Sequence, residues 1–145
     1  MAAVQVSTDE GLRTIAKARN HTWYVDEPLQ DGGTDSGPSP TELLLSALGG
    51  CMVITTHLYA QRKKWPVDKV EVNLEMERFS AVDYPTYTGD AQFVHEIREQ
   101  VVIHAPELDD EQRSRLVEIA GKCPVRRVLM NPVFFVEMKP KPQNA

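Results

Sequence analysis

The chain has 145 residues, enough for one domain with a real core, and residues 1–145 read as a single domain without linker or repeat. With 16 basic and 21 acidic residues its net charge is −5, which argues against a general nucleic-acid binder. It has no apolar run of membrane-spanning length, no secretory-signal pattern and only two cysteines, so a cytoplasmic protein without membrane or nucleic-acid partners is expected.

In chain order, Val4 to Ser7 alternates and reads as a strand, followed by a turn from Thr8 to Gly11. Leu12 to Ala18 pairs back as a hairpin, Arg19-Asn20 marks a second turn, and the aromatic, β-branched His21 to Val25 makes a third strand. From Asp26 to Pro38 the chain is rich in Asp, Gly and Pro and reads as a loop.

A helix-start signal follows. Ser39 can cap, Pro40 suits the first helical position, and Glu42 falls at the capping-box spacing. Leu43, Leu44, Leu45, Ala47, Leu48, Met52, Val53 and Ile54 cover nearly all helix faces, so burial on most sides is expected. The helix ends in Gln61-Arg62-Lys63-Lys64, where cations suit the C-terminus, and Trp65-Pro66 stops it. Gly49 and Gly50 interrupt it, at a propensity cost of about 1 kcal/mol each relative to Ala. A helix tolerates such a pair where a second backbone or a substrate must come close. Cys51, directly after them, is a candidate reactive centre.

Val70, Val72, Leu74 and Met76 alternate with Glu71, Asn73, Glu75 and Glu77, giving a strand with one dry face and one wet face. A loop from Ser80 to Asp90 leads to a returning strand, Phe93 to His104. Its alternation fails near Val101-Val102-Ile103, which reads either as a bulge or as burial of both faces. Asp109 caps a second helix with Gln112 three residues on, and Leu116, Ile119, Ala120 and Cys123 recur at helical spacing. Cys123-Pro124 breaks or bends that helix, Val125 to Leu129 adds a turn or two, and Asn131-Pro132 ends it. Val133 to Val136 with Met138 forms a last strand, and Lys139 to Ala145 is a frayed polar tail. The fold class is α+β with antiparallel sheets, in the order βββ-α-ββ-αα-β.

The two cysteines lie 72 positions apart, with no C-x-x-C spacing. They are either two buried hydrophobes or a catalytic pair. His21, His57, His95 and His104 show no H-x-x-H pattern, so neither a metal site nor a cofactor is expected. Arg13 and Arg19 read as solvated charges, and Arg126 and Arg127 as a wet helix face with anion contact as the alternative. Trp23, Tyr24, Tyr84 and Tyr87 read as packing or loop anchors, with the lining of an apolar pocket as the alternative.

The segment G-P-S-P-T-E-L-L-L-S-A-L-G-G-C-M, Gly37 to Met52, resembles the first-cysteine motif of the OsmC/Ohr family. Asp26-Glu27-Pro28 and Gly32-Gly33 resemble its approach loop, and L-V-E-I-A-G-K-C-P-V-R-R-V-L, Leu116 to Leu129, resembles its second-cysteine motif. The resemblance covers nearly the whole chain. It implies an intertwined homodimer in which two sheets pack around long central helices, with the reactive cysteines near the subunit interface. It also implies thiol peroxidase chemistry: Cys51 attacks the O–O bond of an organic hydroperoxide and becomes a sulfenic acid, and Cys123 condenses with it to a disulfide. A dithiol, lipoyl-type in the best-known branch, then restores the pair.

The attacking group is a thiolate, so Cys51 needs a thiolate-stabilising neighbour. It lies 12 positions after Ser39, where the field of the helix N-terminus has faded. In the hydroperoxide-reductase branch an Arg of the N-terminal hairpin supplies the charge, held by an acid ten positions before the first cysteine. Here that position is Thr41, and Glu42 follows it. The resemblance therefore makes Glu42 and Arg19, with Arg13 as the other hairpin arginine, the candidate partners of Cys51. The departure places the chain outside the best-characterised branch. It also leaves a second reading, a dimeric ligand-binding or redox-sensing protein without turnover. A transferase acting through Cys51 lacks a motif-placed His base.

Overall fold

The apolar segment after Ser39 forms the helix that its cap predicts. In the computed structural model, which describes residues 1–138, helix α1 runs Pro40–Lys63 behind a complete Ser39/Glu42 capping box. Before it, β1 (Gln5–Glu10), β2 (Arg13–Ala18) and β3 (His21–Val25) form an antiparallel sheet in chain order. β1 runs on past its expected end at Ser7, through an irregularity between Thr8 and Glu10. The tight turn falls at Gly11, whose φ of +59° favours glycine.

After α1, β4 (Lys69–Ser80) and β5 (Phe93–His104) pair in continuous antiparallel register. β5 has no bulge: Val101, Val102 and Ile103 are each half-buried, so both faces are partly covered there. Helix α2 (Asp110–Ala120) starts from an Asp109/Gln112 capping box. Helix α3 (Pro124–Met130) starts from Cys123 itself, so the Cys-Pro step breaks the helical segment in two.

The core lies between α1 and the β4–β5 hairpin. Leu48, Met52, Thr56 and Ala60, spaced by four, make one buried stripe of α1 against β4, α2 and α3. One cluster joins Leu48 and Met52 to Ala120 and Cys123, and a second joins Ala60 to Ala105, Leu108 and Leu116.

Three features correct the expectations. Within one chain α1 is not buried on most sides, because Leu44, Ile54 and Leu58 are exposed at 40%, 61% and 53%. By length and composition α1 also meets the requirement for a bilayer span, which the sequence reading excluded. Polar residues such as Ser46, Thr55 and Thr56 break the apolar run in the sequence, whereas an 18-residue window of the 24-residue helix reaches a mean hydropathy of 1.6. Third, Val133 to Met138 forms no strand, since neither sheet of the chain pairs with it, and Phe134 and Phe135 are 85% and 96% exposed. Among the described residues, the β1–β2–β3 sheet packs substantially on no helix and not on the β4–β5 hairpin. The tail from Lys139 lies outside the described residues.

Candidate redox site

The approach to the site is built around one carboxylate. Asp26 directly follows β3 and is 2% exposed. It accepts hydrogen bonds from the backbone N–H of Glu27, Thr34 and Ser36 and from the Thr34 and Ser36 hydroxyls, at 2.6–3.1 Å. The Thr34 hydroxyl and the other donors hold its pKa well below the usual carboxylate range, against the effect of burial. Asp26 thereby folds the loop onto itself, and its own N–H donates to the Pro38 carbonyl, aiming the chain at the Ser39 cap.

Gly49 and Gly50 have different reasons. A Cβ on Gly49 would lie 3.2 Å from Leu74 Cδ1, so this glycine lets α1 lie close on β4. A Cβ on Gly50 would meet nothing within 4 Å. Gly50 instead faces an open groove of about 490 Å³ between α1 and β4, lined also by Glu42, Ser46 and Val53.

The next face of α1 carries Cys51. It is half-buried and packs against the cluster containing Cys123, Leu48 and Met52. Cys123 is wholly buried and caps α3, its Sγ accepting the backbone N–H of Arg126 at 3.4 Å. Burial pushes its thiol pKa up, the Arg126 N–H opposes this, and the adjacent Cys51 thiol adds to the rise. Both thiols are free. Two thiols that share one core cluster, from positions 72 apart in the chain, are neighbours placed for interconversion between dithiol and disulfide.

The other sequence candidates stand elsewhere in the chain. Glu42 is engaged in the cap, taking the Ser39 N–H at 2.8 Å. Arg19 occupies the exposed β2–β3 turn with φ +53°. Arg13 is bound to Asp9 at 2.6 Å and lies over the Tyr24 ring. Arg126 is not a wet surface charge: its Nη1 donates to both carboxylate oxygens of Glu99 on β5, and this pairing raises its pKa. Sequence reasoning placed Asp26 in the approach loop without a role and missed Glu99. Asp26 sat in a loop where acids are ordinary, and Glu99 acquires meaning only when β5 and α3 meet. Beside Cys123, a cavity of about 310 Å³ is lined by Lys122, Arg126, Arg127, Met130 and Asn131.

Comparison with known proteins places this geometry. No curated protein sequence matches the chain significantly. Among solved structures it is similar to an OsmC-like protein from Mycoplasma pneumoniae, with TM-score 0.67 and 20% identity over 90% of this chain and 87% of that one. It is also similar to the organic hydroperoxide resistance protein OsmC from Legionella pneumophila, with TM-score 0.64 and 15% identity over 89% and 88%. The organic hydroperoxide resistance protein from Elizabethkingia anophelis superposes with TM-score 0.62 and 17% identity over 88% and 86%. At these identities the likeness is one of fold, shared over most of each chain. The family model described as OsmC-like protein matches residues 33–137, a span holding the capped helix and both cysteines, so the chain belongs to the OsmC-like protein family.

Proposed function

We propose that this protein is a cysteine-dependent peroxidase that reduces organic hydroperoxides to alcohols in cytoplasmic oxidative-stress defence. The Cys51 thiolate attacks the terminal peroxide oxygen and the O–O bond breaks. The alkoxide leaves and takes a proton to become the alcohol, and Cys51 becomes a sulfenic acid. The Cys123 sulfur then attacks the Cys51 sulfur, and the S–O bond breaks as water leaves with the thiol proton. A dithiol, for instance of lipoyl type, reduces the disulfide by exchange and becomes a disulfide itself. The observation that carries this reading is that Cys51 and Cys123 share one core cluster, with both thiols free.

The working unit in this proposal is an intertwined homodimer. The exposed apolar face of α1, the unpacked N-terminal sheet and the unpaired Val133–Met138 segment support it. A partner's sheet would cover α1 and bring a hairpin arginine, Arg13 or Arg19, towards Cys51 and Glu42. The test is the intact mass of non-reduced protein before and after one equivalent of cumene hydroperoxide, with peroxide consumption followed in parallel. Rapid loss of two hydrogens, mapped to Cys51–Cys123, is the expected result. Unchanged mass with peroxide left intact would overturn it.

A second reading, a dimeric ligand-binding or redox-sensing protein without turnover, is favoured by one observation. Arg13 and Arg126 are both held by carboxylates of their own chain. Its signature is slow single oxidation of Cys51 with no sustained peroxide consumption under several dithiols.

A further inference from the structure

The described residues leave α3 weakly held. Val128, Leu129 and Met130 are exposed, and α3 packs chiefly on α1, with Val125 of its first turn against the core cluster that β4 and β5 also cover. Among the described residues, its polar tie to the β4–β5 hairpin is the pair Arg126–Glu99, with the two side chains 33% and 30% exposed. Glu99 stands opposite Leu74 in the hairpin register, and Leu74 is the side chain against which Gly49 of α1 is fitted. The hairpin is therefore a common reference for both cysteines. Cys51 is fixed to it by α1 packing on β4, and Cys123 both by its burial in the core cluster that the hairpin's Val72, Leu74, Ile97 and Val101 pack against and by Arg126 reaching Glu99 on β5.

We propose that Arg126 and Glu99 form a clasp that positions Cys123 for its attack on oxidised Cys51, so that they govern the resolving step and not the first oxidation. Neither side chain is a catalytic residue. Arg126 is a positioning residue, acting through the α3 cap that its own backbone N–H completes on Cys123 Sγ. The proposal rests on the thiol-redox reading above and extends it to two residues. The bond affected is the S–S bond, formed as the S–O bond of the Cys51 sulfenic acid breaks and water leaves.

The physical reason for a selective effect is reach. Cys51 sits on α1, which keeps its own packing whether or not the clasp is closed. Cys123 is held in the core but begins a helix of seven residues with an exposed C-terminal half, too short to set its own tilt, so the aim of the thiol shifts once the tie to β5 is lost. A displacement near 1 Å costs a reaction between two positioned groups as much as about a hundredfold in rate. Salt should weaken the clasp little, because the pair is two-thirds covered.

The experiment uses full-length reduced protein, substoichiometric cumene hydroperoxide, rapid quench into dimedone and intact mass. In the parent protein the disulfide forms quickly and dimedone labels little. In Glu99→Gln and Arg126→Met, loss of Cys51 thiol keeps the parent rate, disulfide formation slows by roughly tenfold, and the dimedone adduct or sulfinic acid accumulates. Arg126→Lys, which keeps a cation within reach of Glu99, restores most of the rate. Disulfide formation at the parent rate in both disrupting variants would overturn the clasp. So would equal slowing of both steps, or no rescue by lysine. If a variant fails to fold by circular dichroism, Glu99→Asp takes its place, shortening the reach by one methylene. If peroxide oxidises no form of the protein, the peroxidase reading fails, and diamide replaces it as oxidant. The clasp then predicts the same slowing of disulfide closure, and its absence refutes it.

Discussion

At the residue scale the proposed chemistry rests on two sulfurs with unequal surroundings. Cys51 is half-buried, and Cys123 is buried with its thiol pKa pushed up chiefly by desolvation. The accessible cysteine is the one a peroxide can meet first. Cys51→Ser should abolish peroxide turnover, whereas Cys123→Ser should consume one equivalent and stop as a sulfenate; stopped peroxide assays with dimedone trapping separate the two, and sustained turnover by Cys51→Ser would refute the assignment. Asp26 makes a different prediction. Its folded pKa is lowered, first by the Thr34 hydroxyl, so its stabilisation is complete above the unfolded carboxylate value of about 4 and is lost as pH falls towards the folded value. Melting temperature against pH should therefore fall below pH 4 in the parent protein. Asp26→Asn should melt lower at neutral pH and show a flatter acid limb; an unchanged acid limb would contradict the role given to Asp26.

At the element scale, the helices and strands follow from signals within a few residues. Two capping boxes start α1 and α2, and alternation sets β4. Ser39 accepts the Glu42 N–H at 3.3 Å, so Ser39→Ala should cost about 1 kcal/mol in urea unfolding. Gly49 is tighter: with Leu74 Cδ1 only 3.2 Å from an added Cβ, Gly49→Val forces α1 off β4 and should cost about 1–3 kcal/mol. A midpoint equal to the parent's in that variant would show that the helix has room there.

At the scale of the whole molecule, one chain leaves much apolar surface uncovered. Ile54 and Leu58 on α1, and Phe134 to Val136 at the C-terminal end, are more than half exposed. Patches of this kind mark an interaction surface. In the proposed dimer they meet a second copy. Sedimentation should then give twice the 16.3 kDa chain mass, and Leu58→Glu with Ile54→Glu should shift the protein towards the single-chain mass. A parent protein that sediments as one chain would remove the dimer, and with it the partner-supplied arginine.

By itself the sequence determined the α+β class, the capped central helix, the hairpins and the two cysteines as candidates. Caps, turns and alternation act over three or four residues, and both cysteine motifs are continuous in the chain. The tertiary structure alone brings Cys51 into the cluster that holds Cys123, turns Arg126 to Glu99 rather than water, and sets Gly49 to packing while Gly50 faces open space. It also leaves Val133 to Met138 without a strand to pair with among the described residues. Each of these depends on which elements become neighbours, and a charge 27 positions from its partner leaves no periodic trace in the sequence.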